Sequence, residues 1–318
     1  MSGNDWALVG DIGATNARFA LVAPDGTLSK PQALLCDDYQ TIAAAIEAYL
    51  ADAEGAAPAQ GVLAIAASPT GDVVSMTNHP WTFSIEGLCR GLGMHRLRVV
   101  NDFHANATAV PYLKDDERVQ VGPGAPVDDM PIGVIGPGTG LGVSTLVPTP
   151  SGPRPIPGEG GHVTMSPADA RESAVLDLMR SRYDHVSAER LLSGPGLVNI
   201  YNTLCEIKHV PAAPLTAAQI TDPTIAADDA TAQEATDMFC AMLGTIAGNL
   251  ALTLGARGGV FIAGGIVPKL GDRFAKSQFR ARFEAKGRFQ SYLATIPTYV
   301  VVRPFAALLG AAKLLDGA

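Results

Sequence analysis

Apolar positions in this chain fall into short continuous runs separated by glycine-rich breaks. Between the runs lie longer segments in which they recur every three to four residues. The runs at 6–9, 18–22, 32–36 and 61–67 predict strands. Residues 41–53 set Ile42, Ile46, Tyr49 and Leu50 on one face and predict a helix, and Ser84 caps another that runs to Leu92. Leu97, Val99 and Val100 mark the next strand. An Ala-rich segment of helical character starts at Phe103, which leaves Asn101-Asp102 at the junction. A carboxylate there is held by rigid elements, although taken alone Asp102 reads only as a cap of the helix. Further strands are predicted at 131–135, 143–147, 259–263 and 297–302. Further helices are predicted at 171–182, 197–207, 228–254 and 306–315, with the 228–254 segment central. Residues 187–192 form a short helical piece capped by Ser187, and Ser193-Gly194-Pro195-Gly196 reads as a breaker. Residues 69–80 are turn-rich, 114–130 read as a solvated loop, and 148–161 as an irregular loop.

A strand, a Gly/Thr loop and a strand occur at 8–22 and again at 132–147, about 125 residues on. That duplication predicts two related α/β halves, each opened by a glycine-rich hairpin, with a domain boundary near residue 112 and a ligand cleft between the halves. The length of 318 residues allows two domains. A content of 47% hydrophobic and 17% charged residues indicates a globular chain with a sizeable core. A net charge of -8 argues against general nucleic-acid binding, which needs a basic face, yet leaves a phosphorylated small molecule as a possible ligand. Cys36, Cys89, Cys205 and Cys240 have neither zinc-ligand nor redox spacing and read as reduced thiols. No basic segment followed by a long apolar run opens the chain, and no uninterrupted apolar run approaches ~20 residues. The expectation is a soluble, cytoplasmic protein that does not associate with membranes.

Three glycine chemistries compete for the loops. A P-loop string is absent. Gly136, Gly138, Gly140 and Gly142, with Glu159 beyond, approximate a dinucleotide fingerprint, but the strict alternation and the strand-like run after Gly142 oppose it. The remaining class is a pair of hairpin loops that hold phosphates. Asp11 and Thr15 in the first loop and Thr139 in the second suit it, because threonine hydroxyls donate to phosphate oxygens and an aspartate holds Mg²⁺ directly or through water.

Several stretches together resemble the bacterial glucokinase family of actin/hexokinase-like kinases. They are Gly10-Asp11-Ile12-Gly13-Ala14-Thr15-Asn16-Ala17-Arg18, Met76-Thr77-Asn78-His79-Pro80-Trp81, Val100-Asn101-Asp102-Phe103, Gly138-Thr139-Gly140-Leu141-Gly142 and Gly158-Glu159-Gly160-Gly161-His162. The likeness continues through 187–197 and 259–266. It implies a two-lobed α/β fold of the actin/hexokinase (ribonuclease H-like) type with a cleft between a small and a large domain. The small domain would be 1–111 plus about 303–318, and the large one 112–302. It further implies an ATP:glucose 6-phosphotransferase of glycolysis with Asp102 as general base. Glucose would be held by Asn101, Asp102, Glu159, His162 and Glu189, with Asn78 secondary. ATP would lie on Gly10, Asp11, Ile12, Gly13, Ala14 and Thr15, on Gly138 and Thr139, and, at its adenosine end, on Gly264 and Gly265. Mg²⁺ would sit near Asp11, and the protein would be a homodimer.

Plain alternatives stand beside these roles. Glu159 and His162 share the spacing of a helical metal motif, but the surrounding glycines oppose a helix. Glu189 by itself is an ordinary exposed helix residue. Ala14 stands where the family often has a second glycine, and its methyl would crowd a phosphate or alter the turn. The cysteine-rich zinc motif of the related repressor and sugar-kinase branch is absent. A kinase for another hexose or another phosphate donor, and a non-catalytic sugar sensor, are the competing functions. The presence of Asp102 together with both loops weighs against the sensor.

Overall fold

A computed structural model of the protein describes residues 6–53, 57–76 and 79–315. The chain divides into two compact units, 1–114 with 303–318 and 115–302.

Unit 1 is built on a five-stranded sheet. Its strands are β1 (Ala7–Ile12), β2 (Asn16–Val22), β3 (Leu28–Leu35), β4 (Gln60–Ile65) and β7 (Arg96–Asn101), in the order β3-β2-β1-β4-β7. A separate small hairpin joins β5 (Val73–Ser75) to β6 (Thr82–Ser84). β1 pairs antiparallel with β2 and parallel with β4. Its residues are buried on both faces, which is why it reads as a continuous apolar run. Leu8, Ile12, Phe19 and Leu63 pack on one face with Ile42, Ile46 and Tyr49 of the helix Ile42–Asp52. The other face is lined by small residues, among them Ala7, Val9, Ala20 and Ala64. It receives Ala307, Leu308 and Ala311 of the C-terminal helix Ala306–Lys313. That helix also packs on the helix Asp102–Ala109, and a Cβ on Gly310 would overlap the Ala105 carbonyl oxygen.

Unit 2 repeats the design. Its strands are β8 (Arg118–Gln120), β9 (Ile132–Pro137), β10 (Leu141–Val147), β11 (Arg154–Gly158), β12 (Gly259–Ile262) and β13 (Thr298–Val301), in the order β11-β10-β9-β12-β13-β8. The run from β11 to β13 has the same succession of antiparallel and parallel pairings as the whole sheet of unit 1. The added edge strand is β8, antiparallel to β13. The helix Ala230–Leu254 is, among the described residues, the segment long and apolar enough to cross a membrane by length and composition, but 61% of its apolar window is buried in the protein. Gly244 and Gly248 let the backbone of the helix Phe279–Glu284 approach it closely: a Cβ at 248 would stand 2.5 Å from the Phe283 oxygen. It is the central core helix of this unit.

Three expectations are corrected. The loop expected at 114–130 contains β8, whose polar Arg118 and Gln120 suit an edge strand. The irregular loop expected at 148–161 contains β11 despite Pro155 and Pro157. Both prolines share one parity on a strand with a single partner, so both positions can do without a ladder donor. Ser193-Gly194-Pro195-Gly196 starts a helix rather than breaking one. The helix runs Gly194–Ile207, and the Ser193 side chain accepts the Gly196 N–H at 3.0 Å. Proline is tolerated in the first turn because its missing N–H has no partner there anyway.

Candidate active site

In unit 1, β7 ends at Asn101 and the helix begins at Asp102. The Asn101 Oδ1 accepts N–H groups from Phe103 (2.9 Å) and His104 (3.3 Å), while its Nδ2 donates to the Ala67 carbonyl at 3.3 Å. Asn101 is thus the helix cap and is tied to the neighbouring strand's exit. Asp102 occupies the first helical position, where its Oδ1 takes the Phe103 N–H at 3.0 Å and a carboxylate meets the positive end of the helix dipole. The cap expected of Asp102 taken alone therefore belongs to the residue before it.

Two residues further on, His104 is half-buried. Burial lowers its pKa below the usual 6.5, and Arg98 adds to the effect. The folded chain keeps His104 neutral where the unfolded chain takes up a proton. Its contribution to stability is present above about pH 6.5 and is lost as pH falls from there through the lower folded pKa. Urea denaturation over that window is expected to show wild-type stability falling more steeply on acidification than that of His104→Gln. Equal slopes would contradict this.

The β1–β2 turn carries the other unit 1 candidates. Ile12 is fully buried, and a Cβ on Gly10 would stand 2.7 Å from the Leu63 side chain, so these two shape the hairpin from within the core. Gly13, Ala14 and Thr15 form its outward part, with Thr15 exposed. Ala14 is not among the residues with positive φ, so its methyl strains no backbone. The turn is backed by Cys36, whose N–H donates to the Thr15 carbonyl at 2.9 Å and whose thiol donates to the Gly13 carbonyl at 3.4 Å. Asp11 lies directly opposite Arg18 across the strands, and their side chains pair at 3.2 Å. Burial pushes the Asp11 carboxyl above its ordinary value, and the Arg18 guanidinium opposes that shift. Asn78 lies outside the described residues.

Unit 2 gathers its candidates where β9, β10 and β12 end or begin. The β9–β10 turn is closed by the Gly138 N–H donating to the Gly140 carbonyl at 2.8 Å, and leaves Thr139 exposed. A Cβ on Gly138 would meet only open space. Gly264 follows β12 with φ +85°, pressed against the Pro137 carbonyl at the end of β9. Gly265 beside it is open. Leu141 then organises the rest. Its N–H donates to Glu189 Oε2 at 2.8 Å, and a Cβ on Gly161 would overlap its carbonyl oxygen. Gly161 lies in the short turn Gly160–His162 and Glu189 in the turn Ala188–Arg190. Those two turns are tied by the Ala188 N–H donating to the Val163 carbonyl at 2.8 Å. Glu159 and His162 are exposed. Their turn is too short to be the helix of a metal motif, and no group of three or more metal-ligating side chains occurs among the described residues.

The structure therefore brings Gly138, Thr139, Glu159, His162, Glu189, Gly264 and Gly265 to one end of the unit 2 sheet, and Asp11, Gly13, Ala14, Thr15, Asn101 and Asp102 to strand ends of the unit 1 sheet. Sequence reasoning gave no role to Arg18, Ser193 or Gly194. A Ser followed by Gly-Pro is a readable cap signal. The pairing of Arg18 with Asp11 depends on hairpin register.

Known proteins can be set beside this geometry. The Glucokinase family model matches residues 8–318. A glucokinase of Paramagnetospirillum magneticum is 50% identical over 310 residues, covering 97% of each chain. One of Aromatoleum aromaticum is 49% identical over 313 residues, covering 98% of this chain and 95% of its own. A crystal structure of glucokinase from an Antarctic psychrotroph superimposes with a TM-score of 0.85 at 33% identity, covering 99% of both chains.

Proposed function

The chain belongs to the glucokinase family, and on that premise we propose that it transfers the γ-phosphoryl group of ATP to the 6-hydroxyl of glucose. Identity of about one residue in two along nearly its whole length carries the reading. In the reaction the 6-oxygen attacks the γ-phosphorus, the bond from that phosphorus to the β,γ-bridging oxygen breaks, and ADP leaves. The hydroxyl proton passes to the Asp102 carboxylate. Such a transfer asks little covalent chemistry of the protein and much positioning.

What supports Asp102 as the base is its seat at a strand-to-helix junction, with Asn101 taking the capping duty and fixing the backbone. Asn101, Glu159, His162 and Glu189 supply amide, imidazole and carboxylate groups to the sugar hydroxyls, which both donate and accept. A site that satisfies each hydroxyl rejects analogues that lack one. Asn78 is retained in this set from the sequence motif alone. The backbone at Gly13–Thr15 and Gly138–Thr139, and at Gly265 beside the tight turn of Gly264, suits phosphate oxygens and the nucleotide, because no Cβ blocks approach at Gly13, Gly138 and Gly265.

The Asp11 carboxylate, largely buried with its side chain 18% exposed and braced by Arg18, would hold a Mg²⁺ carried by the donor phosphates, directly or through water. Bound there, the cation neutralises phosphate charge. The reading includes a cytoplasmic homodimer, which light scattering tests. A coupled assay of ADP release over a panel of hexoses and phosphate donors tests the reaction. Release that requires glucose and ATP is expected, and its absence with every donor sinks the proposal.

A further inference from the structure

We propose that Gly140 and Ser193 are positioning residues that lock the Glu189 carboxylate to the β9–β10 turn, so that sugar and nucleotide bind with positive coupling. The inference rests on the function proposed above and deepens it.

The lock is a closed ring within unit 2. The carboxylate of Glu189 accepts the Leu141 N–H through Oε2 at 2.8 Å. Across the turn, the Gly138 carbonyl accepts the Gly194 N–H at 2.8 Å. The ring closes through Ser193, whose hydroxyl donates to the Glu189 carbonyl at 2.8 Å while its oxygen accepts the Gly196 N–H at 3.0 Å. One side of the ring is the turn 138–141, and the other is the segment 189–194. Two hydrogen bonds cross between them, one at each end. The segment cannot drift on its own, because Leu191 and Leu192 are fully buried and Ser193 is 2% exposed.

Gly140 is the tight point. A Cβ there would stand 2.5 Å from Glu189 Oε2 and 3.3 Å from its carboxyl carbon. Any side chain at 140 therefore displaces the carboxylate from the Leu141 N–H. With Oε2 engaged, Oε1 is the oxygen presented to a sugar hydroxyl.

Phosphate oxygens settling on Gly138 and Thr139 would order the turn, and through Leu141 they would order Glu189. A sugar held by Glu189 would order the turn in return. Linkage requires the two effects to be equal in size, and couplings of this kind are typically about 5–150-fold.

Calorimetric titration of the full chain with glucose and with a non-hydrolysable ATP analogue, each alone and in the presence of the other, tests this. Wild-type protein is expected to bind the analogue at least about fivefold more tightly with glucose present. Gly140→Ala is expected to weaken glucose binding by about tenfold and to bring the coupling factor close to one, with thermal denaturation confirming a folded chain. If Gly140→Ala does not fold, Ser193→Ala carries the test by removing the hydroxyl link to the Glu189 carbonyl that closes the ring within the segment 189–194. Its coupling factor should fall severalfold, and glucose affinity measured alone should change less. A folded Gly140→Ala or Ser193→Ala with wild-type coupling overturns the inference, as does wild-type protein that binds the two ligands independently. Wild-type protein that binds no glucose overturns the proposed function and this inference together, whereas glucose binding with unaltered variants overturns this inference alone.

Discussion

Asp102→Asn is expected to lower kcat by about 10²–10⁴-fold, the usual worth of a general base, while glucose still binds within a few-fold of wild type. The substitution keeps the size and shape of the side chain and removes its capacity to take a full proton. It also spares the local fold, because the helix cap is Asn101 and the Phe103 N–H finds an oxygen acceptor in either side chain at 102. A loss of turnover would therefore reflect chemistry and not unfolding. Steady-state kinetics, glucose calorimetry and thermal denaturation on the same preparation separate the two. Turnover near the wild-type value would rule Asp102 out as the base.

The second large effect is expected far from Asp102 in sequence. Gly310→Ala should destabilise the protein by about 3 kcal/mol, toward the upper part of the range for overpacking a tight contact, and lower Tm by roughly 5 °C. The added methyl would be driven into the Ala105 carbonyl oxygen, a backbone atom of the helix that begins at Asp102. A flexible side chain could move aside, but a helix backbone can yield only by shifting the whole helix. The two helices would separate, and the small-residue face formed by Ala7, Val9, Ala20 and Ala64 would lose its close packing. Because the displaced helix carries Asp102, kcat should fall as well. Gly91→Ala is the control: it ends the helix Ile85–Gly91 and a Cβ there meets nothing within 4 Å. It should leave stability unchanged or slightly raised, as alanine favours helix over glycine. Equal Tm values for the two variants would show that the Gly310 contact is not limiting.

Local signals carried much of the fold. The apolar runs of β1, β4 and β9 are legible because strands buried on both faces cannot alternate with polar residues. Ser84 was legible as a cap by residue type and position, and its side chain accepts the N–H three residues on, as does that of Thr41, which the apolar pattern puts inside its helix. The duplicated hairpins were legible because each carries a Gly/Thr loop at the same place in a strand-turn-strand pattern. β8 and β11 were not, since edge strands tolerate charges and prolines that local rules assign to loops. In the same way Ser193 looked like the end of one element when it caps the next.

By itself, then, the sequence determined the α/β class, the two glycine-rich hairpins, the junction at Asn101-Asp102 and the family resemblance, because each rests on residues close together in the chain or on motifs read in order. Only the tertiary structure decided which of Asn101 and Asp102 caps the helix, that Arg18 braces Asp11, that Gly310 meets Ala105, and that Glu189 is held by a residue 48 positions earlier. These contacts follow from strand register and from backbones packed closer than a Cβ allows, and neither leaves a local periodicity to read.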